Sequence, residues 1–249
     1  MKDAANDLGP ATTSEQKART DLAACHRLSY HYGWDDIVWN HITARLPNQP
    51  DHFLLKLHDL RYDEVTASNL VTVDSDGTVV AGPDDINVTG FVIHSAVYSG
   101  RPNVNCVLHT HTRAGIAVSC LEDPLIPMAN DAMMWVDNIG YHDYEGLSDD
   151  VDECNRLVAS LGESSALILR NHGLLTVGRS VAEAFVMMYY LDRACQVHLD
   201  VLQTGQAYRL PPRDVQEKAS KQYRKFWPGN SEWPALVRLA DKLDPSYRD

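Results

Sequence analysis

The sequence predicts an α/β fold on three observations: capping-box helix starts at Thr13 and at Ser180, short apolar or alternating segments between them, and turn residues spaced closely around those segments. A chain of 249 residues can bury one extended core. Residues 1–12 are polar and expected to be disordered. Residues 13–249 are expected to form a single domain, with 206–249 as a C-terminal helical extension.

Each element has its own signal. Thr13-Ser14-Glu15-Gln16 has the form of a capping box and opens a helix to about Tyr32, stopped by Gly33. Ile37 to Leu46 alternates as a strand, and Phe53 to Leu57 repeats the pattern before a polar stretch ending near Gly82-Pro83. Gly90 to Tyr98 reads as a short helix, closed by Gly100 and Arg101-Pro102. Asn105 to His111 reads as a strand and Thr112 to Leu121 as the helix after it. Ala166 to Arg170 is a short apolar strand leading into the Asn171-His172-Gly173 turn. Ser180-Val181-Ala182-Glu183 opens a second capped helix to about Gln203, whose Met and aromatic stripe is a pattern of core or subunit contact rather than of a cofactor box. The tail from Trp233 onward is amphipathic and is expected to pack on the body or a neighbour.

Composition excludes several functions. Thirty-four acids against 22 bases give a formal charge of -12, and no basic stripe tracks phosphates, so nucleic acid is not an expected partner. The longest apolar run, Phe185 to Leu191, is too short to span a bilayer, and the first ten residues lack a signal-peptide core. No membrane association and a cytoplasmic location are expected. Cys25, Cys106, Cys120, Cys154 and Cys195 are odd in number and lack Cys-x-x-Cys spacing, which fits reduced core thiols.

Chemistry concentrates in three histidines. His109 and His111 lie two apart on the Asn105–His111 strand, on one face and roughly 7 Å apart along the backbone. His172 sits at a strand end in Asn171-His172-Gly173. Neutral imidazoles bind divalent zinc, manganese or iron, and a set of three leaves coordination positions open, as catalytic sites require.

The chain resembles the class II aldolase/adducin family over about residues 15–205. The resemblance is carried by Gly33-Trp34 with Trp39-Asn40-His41-Ile42-Thr43-Ala44-Arg45, by Glu64-Val65-Thr66-Ala67-Ser68-Asn69-Leu70-Val71, and by Gly90-Phe91-Val92-Ile93-His94-Ser95-Ala96-Val97-Tyr98. His109-Thr110-His111, Tyr141-His142-Asp143-Tyr144-Glu145-Gly146 and Ile168-Leu169-Arg170-Asn171-His172-Gly173-Leu174 complete it. The wording is nearer to the adducin head and its bacterial relatives than to the sugar phosphate aldolases. The resemblance implies a three-layer α/β/α domain with a central, largely antiparallel sheet, and a homotetramer with sites near subunit interfaces. It implies zinc on His109, His111 and His172.

Position by position, the chain also departs from the aldolases. Their acid/base glutamate is matched by Gly90. Val88-Thr89 and His58-Asp59 stand where phosphate-holding residues would be, although Asn40 is retained for substrate binding. A sugar phosphate substrate is therefore not expected. Proton abstraction needs a base within hydrogen-bond reach, which glycine lacks. Decarboxylation needs none for bond cleavage, because loss of CO₂ leaves its electron pair on an enolate that a cation stabilises.

The expected function is thus a divalent-metal-dependent carbon–carbon lyase, decarboxylase or aldolase type, for a small carbonyl or hydroxy acid. His142 or Tyr144 is the proton donor, and Arg170 a clamp for a substrate carboxylate. His94, one helical turn beyond Gly90, is a supporting residue of the site. Two alternatives remain open: a non-catalytic, adducin-head-like assembly or cytoskeleton-binding module, and a non-haem iron oxygenase using the same histidines.

Overall fold

The computed structural model describes residues 13–122, 124–146, 151–225 and 228–249; the side chains of residues 13, 88, 89 and 151 are outside the description. The expected disorder of residues 1–12 and the Val88-Thr89 pocket therefore fall outside it.

The first helix, α1 (Thr13–His31), ends where Gly33 adopts a left-handed φ of +69°. The strand expected from Ile37 begins only at His41, as β1 (His41–Leu46). Residues 36–39 instead form a turn: Ile37 has φ +52° and the Trp39 amide donates to the Asp36 carbonyl at 2.9 Å. The turn persists because a buried side chain anchors it. The Lys56 ammonium donates to the Val38, Leu57 and His58 carbonyls at 3.0–3.1 Å. A β-branched residue at positive φ is otherwise a steric outlier.

Next comes β2 (Gln49–Leu55), earlier than the expected Phe53–Leu57, after a turn in which Asn48 takes φ +65°. Two short strands, β3 (Val71–Asp74) and β4 (Val79–Ala81), lie in the stretch read as polar. Helix α2 (Val88–Gly100) is capped by the Asn87 side chain, which accepts from the Gly90 amide. Strand β5 (Cys106–Thr110) stops one residue short of His111, and Thr112 caps α3 (Arg113–Ser119) through the Gly115 amide.

β6 (Ile139–His142) and α4 (Val151–Leu161) have no counterpart in the sequence expectations; β7 (Ala166–Leu169) does, and β8 (Gly173–Gly178) follows its turn. The long α5 (Val181–Gln203) starts where capping chemistry places it. Ser180 Oγ accepts from the Glu183 amide, while the Glu183 carboxylate reaches back to the Arg179 amide. α6 (Arg213–Tyr223) and α7 (Glu232–Leu243) complete the order.

The eight strands form one sheet in the order β4-β3-β2-β1-β5-β8-β7-β6, antiparallel throughout except for the parallel β6–β7 pair. Helices cover both faces. Leu22, Leu28, Phe185, Met188 and Leu191 from α1 and α5 pack with Ile42 and Leu108 on one face. Phe91, Val97, Leu157 and Leu161 from α2 and α4 pack with Val107, Leu167 and Leu175 on the other. Double coverage explains why β5 and β8 are buried at every position.

The Met and aromatic stripe of α5 is core. Trp233 of α7 packs on Phe185 with ring centroids 5.7 Å apart, and the chain end buries Tyr247 against the Ala67 amide. Four of the five cysteines are buried free thiols; Cys120 is exposed, which corrects its expected place in the core. Among the described residues no helix is long and apolar enough to cross a membrane.

Candidate metal centre

The central strands bring the three histidines together. His109 faces His41 across the β1–β5 ladder and Leu175 across the β5–β8 ladder. His111 lies just beyond the end of β5. His172 stands in the tight turn between β7 and β8, where Asn171 takes φ +56° and the His172 amide donates to the Leu169 carbonyl at 3.1 Å. The turn is pressed onto β5: a Cβ at Gly173 would lie 2.5 Å from the Thr110 carbonyl oxygen, so only glycine lets the two segments approach.

The three rings pack with centroids 4.7–4.9 Å apart, and one ring nitrogen from each lies within 4.8 Å of the others. Hydrogen bonds settle the tautomers of His109 and His111. His109 Nδ1 lies 2.9 Å from the Leu174 carbonyl oxygen and His111 Nδ1 lies 2.8 Å from Asp36 Oδ2, so each Nδ1 carries the proton. In neutral rings both Nε2 atoms are then bare acceptors, yet they face each other across 2.9 Å. Two lone pairs at that separation repel unless a cation or proton lies between them. A divalent ion with nitrogen ligands at about 2.0–2.1 Å meets that need. The carboxylate and carbonyl behind the rings are the usual supports of metal-bound imidazoles.

Electrostatics favour neutral, ligating rings at His109 and His172. Burial, reinforced by His41, His172 and His111, holds His109 well below the usual imidazole range against the opposing pull of the Leu174 carbonyl. Burial and the neighbouring His111 bring His172 down to about 4.

Asn40, the residue before His41, is buried. Its Nδ2 donates to the Trp34 carbonyl at 2.6 Å and its Oδ1 has no hydrogen-bond partner. His142 is buried at the end of β6, with Nδ1 3.2 Å from Ser160 Oγ and Nε2 without a hydrogen bond. It lines a small cleft with Tyr144, Arg170 and His172. Tyr144 is exposed at the mouth, its ring 6.4 Å from that of His172. Arg170 is already engaged: it donates to the Leu121 carbonyl at 2.7 Å, lies 3.7 Å from Asp143 and rests on the Tyr141 ring. His94 contacts none of the three histidines by hydrogen bond; it meets His41, whose ring is 5.0 Å from that of His109.

Asp36, His41 and Lys56 were missed by the sequence reading, since no spacing relates them to the triad. Burial lowers the Lys56 ammonium to about 8 against the opposing pull of Asp59 and Asp85.

Fold and site together define a class of protein: an α/β/α domain with a histidine trio at the edge of its central strands. Residues 20–199 match the family model described as Class II Aldolase and Adducin N-terminal domain, and the chain belongs to that family. A Pseudomonas aeruginosa protein bearing the aldolase class 2 name is 43% identical over 95% of this chain and 94% of its own length. Mouse alpha-adducin is 38% identical over 92% of this chain, which spans 34% of that protein. Among solved structures, an aldolase II superfamily protein from Pseudomonas syringae superposes with a TM-score of 0.92 at 42% identity, covering 96% of this chain and 98% of that one. An L-fuculose 1-phosphate aldolase from Glaciozyma antarctica gives a TM-score of 0.86 at 26% identity, covering 98% of each chain. The fold is thus that of the class II aldolases.

Proposed function

We propose that the chain is a divalent-metal-dependent carbon–carbon lyase for a small carbonyl or hydroxy acid, decarboxylating rather than aldol-cleaving. The observation that carries this reading is the pair of bare Nε2 atoms of His109 and His111, 2.9 Å apart and supported from behind by Leu174 and Asp36. His109, His111 and His172 hold the cation; zinc suits three imidazoles, with manganese or iron as substitutes. A cation bound there supplies Lewis-acid polarisation of a substrate oxygen.

The residues around the trio provide the rest. His142 lines a cleft with His172; its Nε2 makes no hydrogen bond and lies 4.0 Å from Glu145 Oε1, and it returns a proton to the product. Tyr144 at the mouth is the second donor. Asn40 binds substrate through its unpartnered Oδ1, and Arg170 does so after exchanging its contact with Asp143 for a substrate carboxylate. No carboxylate stands at position 90, so cleavage that needs proton abstraction is disfavoured. A homotetramer with sites near its interfaces accords with exposed Ile37, Trp39 and Tyr144.

Likeness to alpha-adducin supports a second reading, a non-catalytic assembly module. The test is turnover of zinc-, manganese- and iron-loaded protein on a panel of oxo and hydroxy acids, following CO₂, aldehyde and oxygen uptake. CO₂ release supports the lyase. Aldehyde release alone would restore aldol cleavage, and oxygen consumption would favour the iron oxygenase. No turnover together with co-sedimentation on filaments would favour assembly.

A further inference from the structure

Four buried or half-buried side chains form a continuous hydrogen-bonded chain beside the histidine trio. His41 Nδ1 lies 2.9 Å from His94 Nε2, His94 Nδ1 lies 2.7 Å from Thr43 Oγ1, and Thr43 Oγ1 lies 2.8 Å from the Tyr98 hydroxyl. Each imidazole has one donor and one acceptor nitrogen and each hydroxyl one proton, so three arrangements are open: the chain runs one way, runs the other, or has Thr43 Oγ1 accepting from both neighbours. The far end decides. Among the described residues the acceptor within reach of the Tyr98 hydroxyl proton is Thr43 Oγ1. Were Thr43 to donate to Tyr98, the buried Tyr98 proton would be left unpaired; were Thr43 to accept from both neighbours, its own buried proton would be.

The protons therefore run from Tyr98 to Thr43, from Thr43 to His94 Nδ1, and from His94 Nε2 to His41 Nδ1. That leaves His41 with its proton on Nε2. Among the described residues no hydrogen bond is made by that atom, and it lies 2.6 Å from where a Cβ at Gly90 would stand. The ring adjoins His109, with centroids 5.0 Å apart.

We propose that His41, its ring seated in the space that the missing side chain of Gly90 leaves and only partly covered, presents a fixed Nε2–H donor to a carbonyl or carboxylate oxygen of the substrate. This inference rests on the lyase reading above. It replaces a base at position 90 by a neutral donor: the site stabilises negative charge on an oxygen without abstracting a proton. His41 is thereby a substrate-binding residue, and His94, Thr43 and Tyr98 are positioning residues.

Neutron diffraction from a deuterium-exchanged crystal tests the proton direction without any variant. The expected result is deuterium on Nε2 of both His41 and His94. Deuterium on His41 Nδ1 with a bare Nε2 would overturn the proposal. Calorimetric titration of the zinc-loaded protein with oxalate tests the donor itself. His41→Leu is expected to weaken oxalate about tenfold or more, and His41→Gln to recover part of that loss, at unchanged zinc content. Equal oxalate affinity in all three proteins at full zinc occupancy would also overturn it. Absent turnover would count against the lyase reading alone, since the deuterium positions do not depend on turnover.

Discussion

Gly90 and His41 share one space. A Cβ on Gly90 would stand 2.4 Å from Cδ2 of the His41 ring, closer than side-chain carbons approach. The ring cannot simply swing away, because His94 holds its Nδ1 at 2.9 Å.

Gly90→Ala is accordingly expected to destabilise the fold by about 1–3 kcal/mol, the usual cost of overpacking, despite the helix-propensity gain of about 1 kcal/mol. In a His41→Ala background the collision disappears, and the same substitution is expected to be neutral or stabilising. Denaturant unfolding of the four proteins of this cycle measures the coupling. Additive effects of the two substitutions would rule out the shared space.

Asp36 orients His111 through a 2.8 Å contact to Nδ1. Asp36→Asn is expected to lower metal affinity by about 10- to 100-fold while leaving the fold intact. Competition against a chromogenic chelator reads the affinity. An unchanged constant would mean that the carboxylate plays no part in holding the ring.

His26 predicts a pH effect away from the site. It is fully buried, with Nδ1 on the Leu22 carbonyl and Nε2 unpartnered, and burial lowers it to about 3 from an ordinary 6.5. Between those values the unfolded chain binds more protons, so stability is lost as pH falls from 6.5 towards 3. Relative to His26→Leu, the native protein is expected to lose about 2 kcal/mol between pH 7 and 4.5. Parallel pH dependence in the two proteins, followed by denaturant unfolding, would contradict this.

The contrast between Ile37 and His172 shows what the sequence could and could not convey. His172 was legible because a short apolar strand, a left-handed Asn and a Gly fix its turn locally, and the strand spacing of His109 and His111 is local as well. The three-layer fold was legible through the blocks that carry the family resemblance. Ile37 looked like the start of a strand because its neighbours alternate. Its turn is imposed from outside by the Lys56 ammonium on Val38, a contact 18 residues away in sequence. β3 and β4 escaped notice because strands of four and three residues are too short to establish a period. Asp36 and His41 share the cause that hid the turn: each acquires its role only when β1 is laid against β5.

One cation shared by His109, His111 and His172 is the centre of the proposed chemistry. Elemental analysis of purified native protein and of His109→Ala, both checked for folding by circular dichroism, tests it most directly. The prediction is one divalent ion per chain in the native protein and loss of that ion in folded His109→Ala; an equal metal content in the two would contradict it.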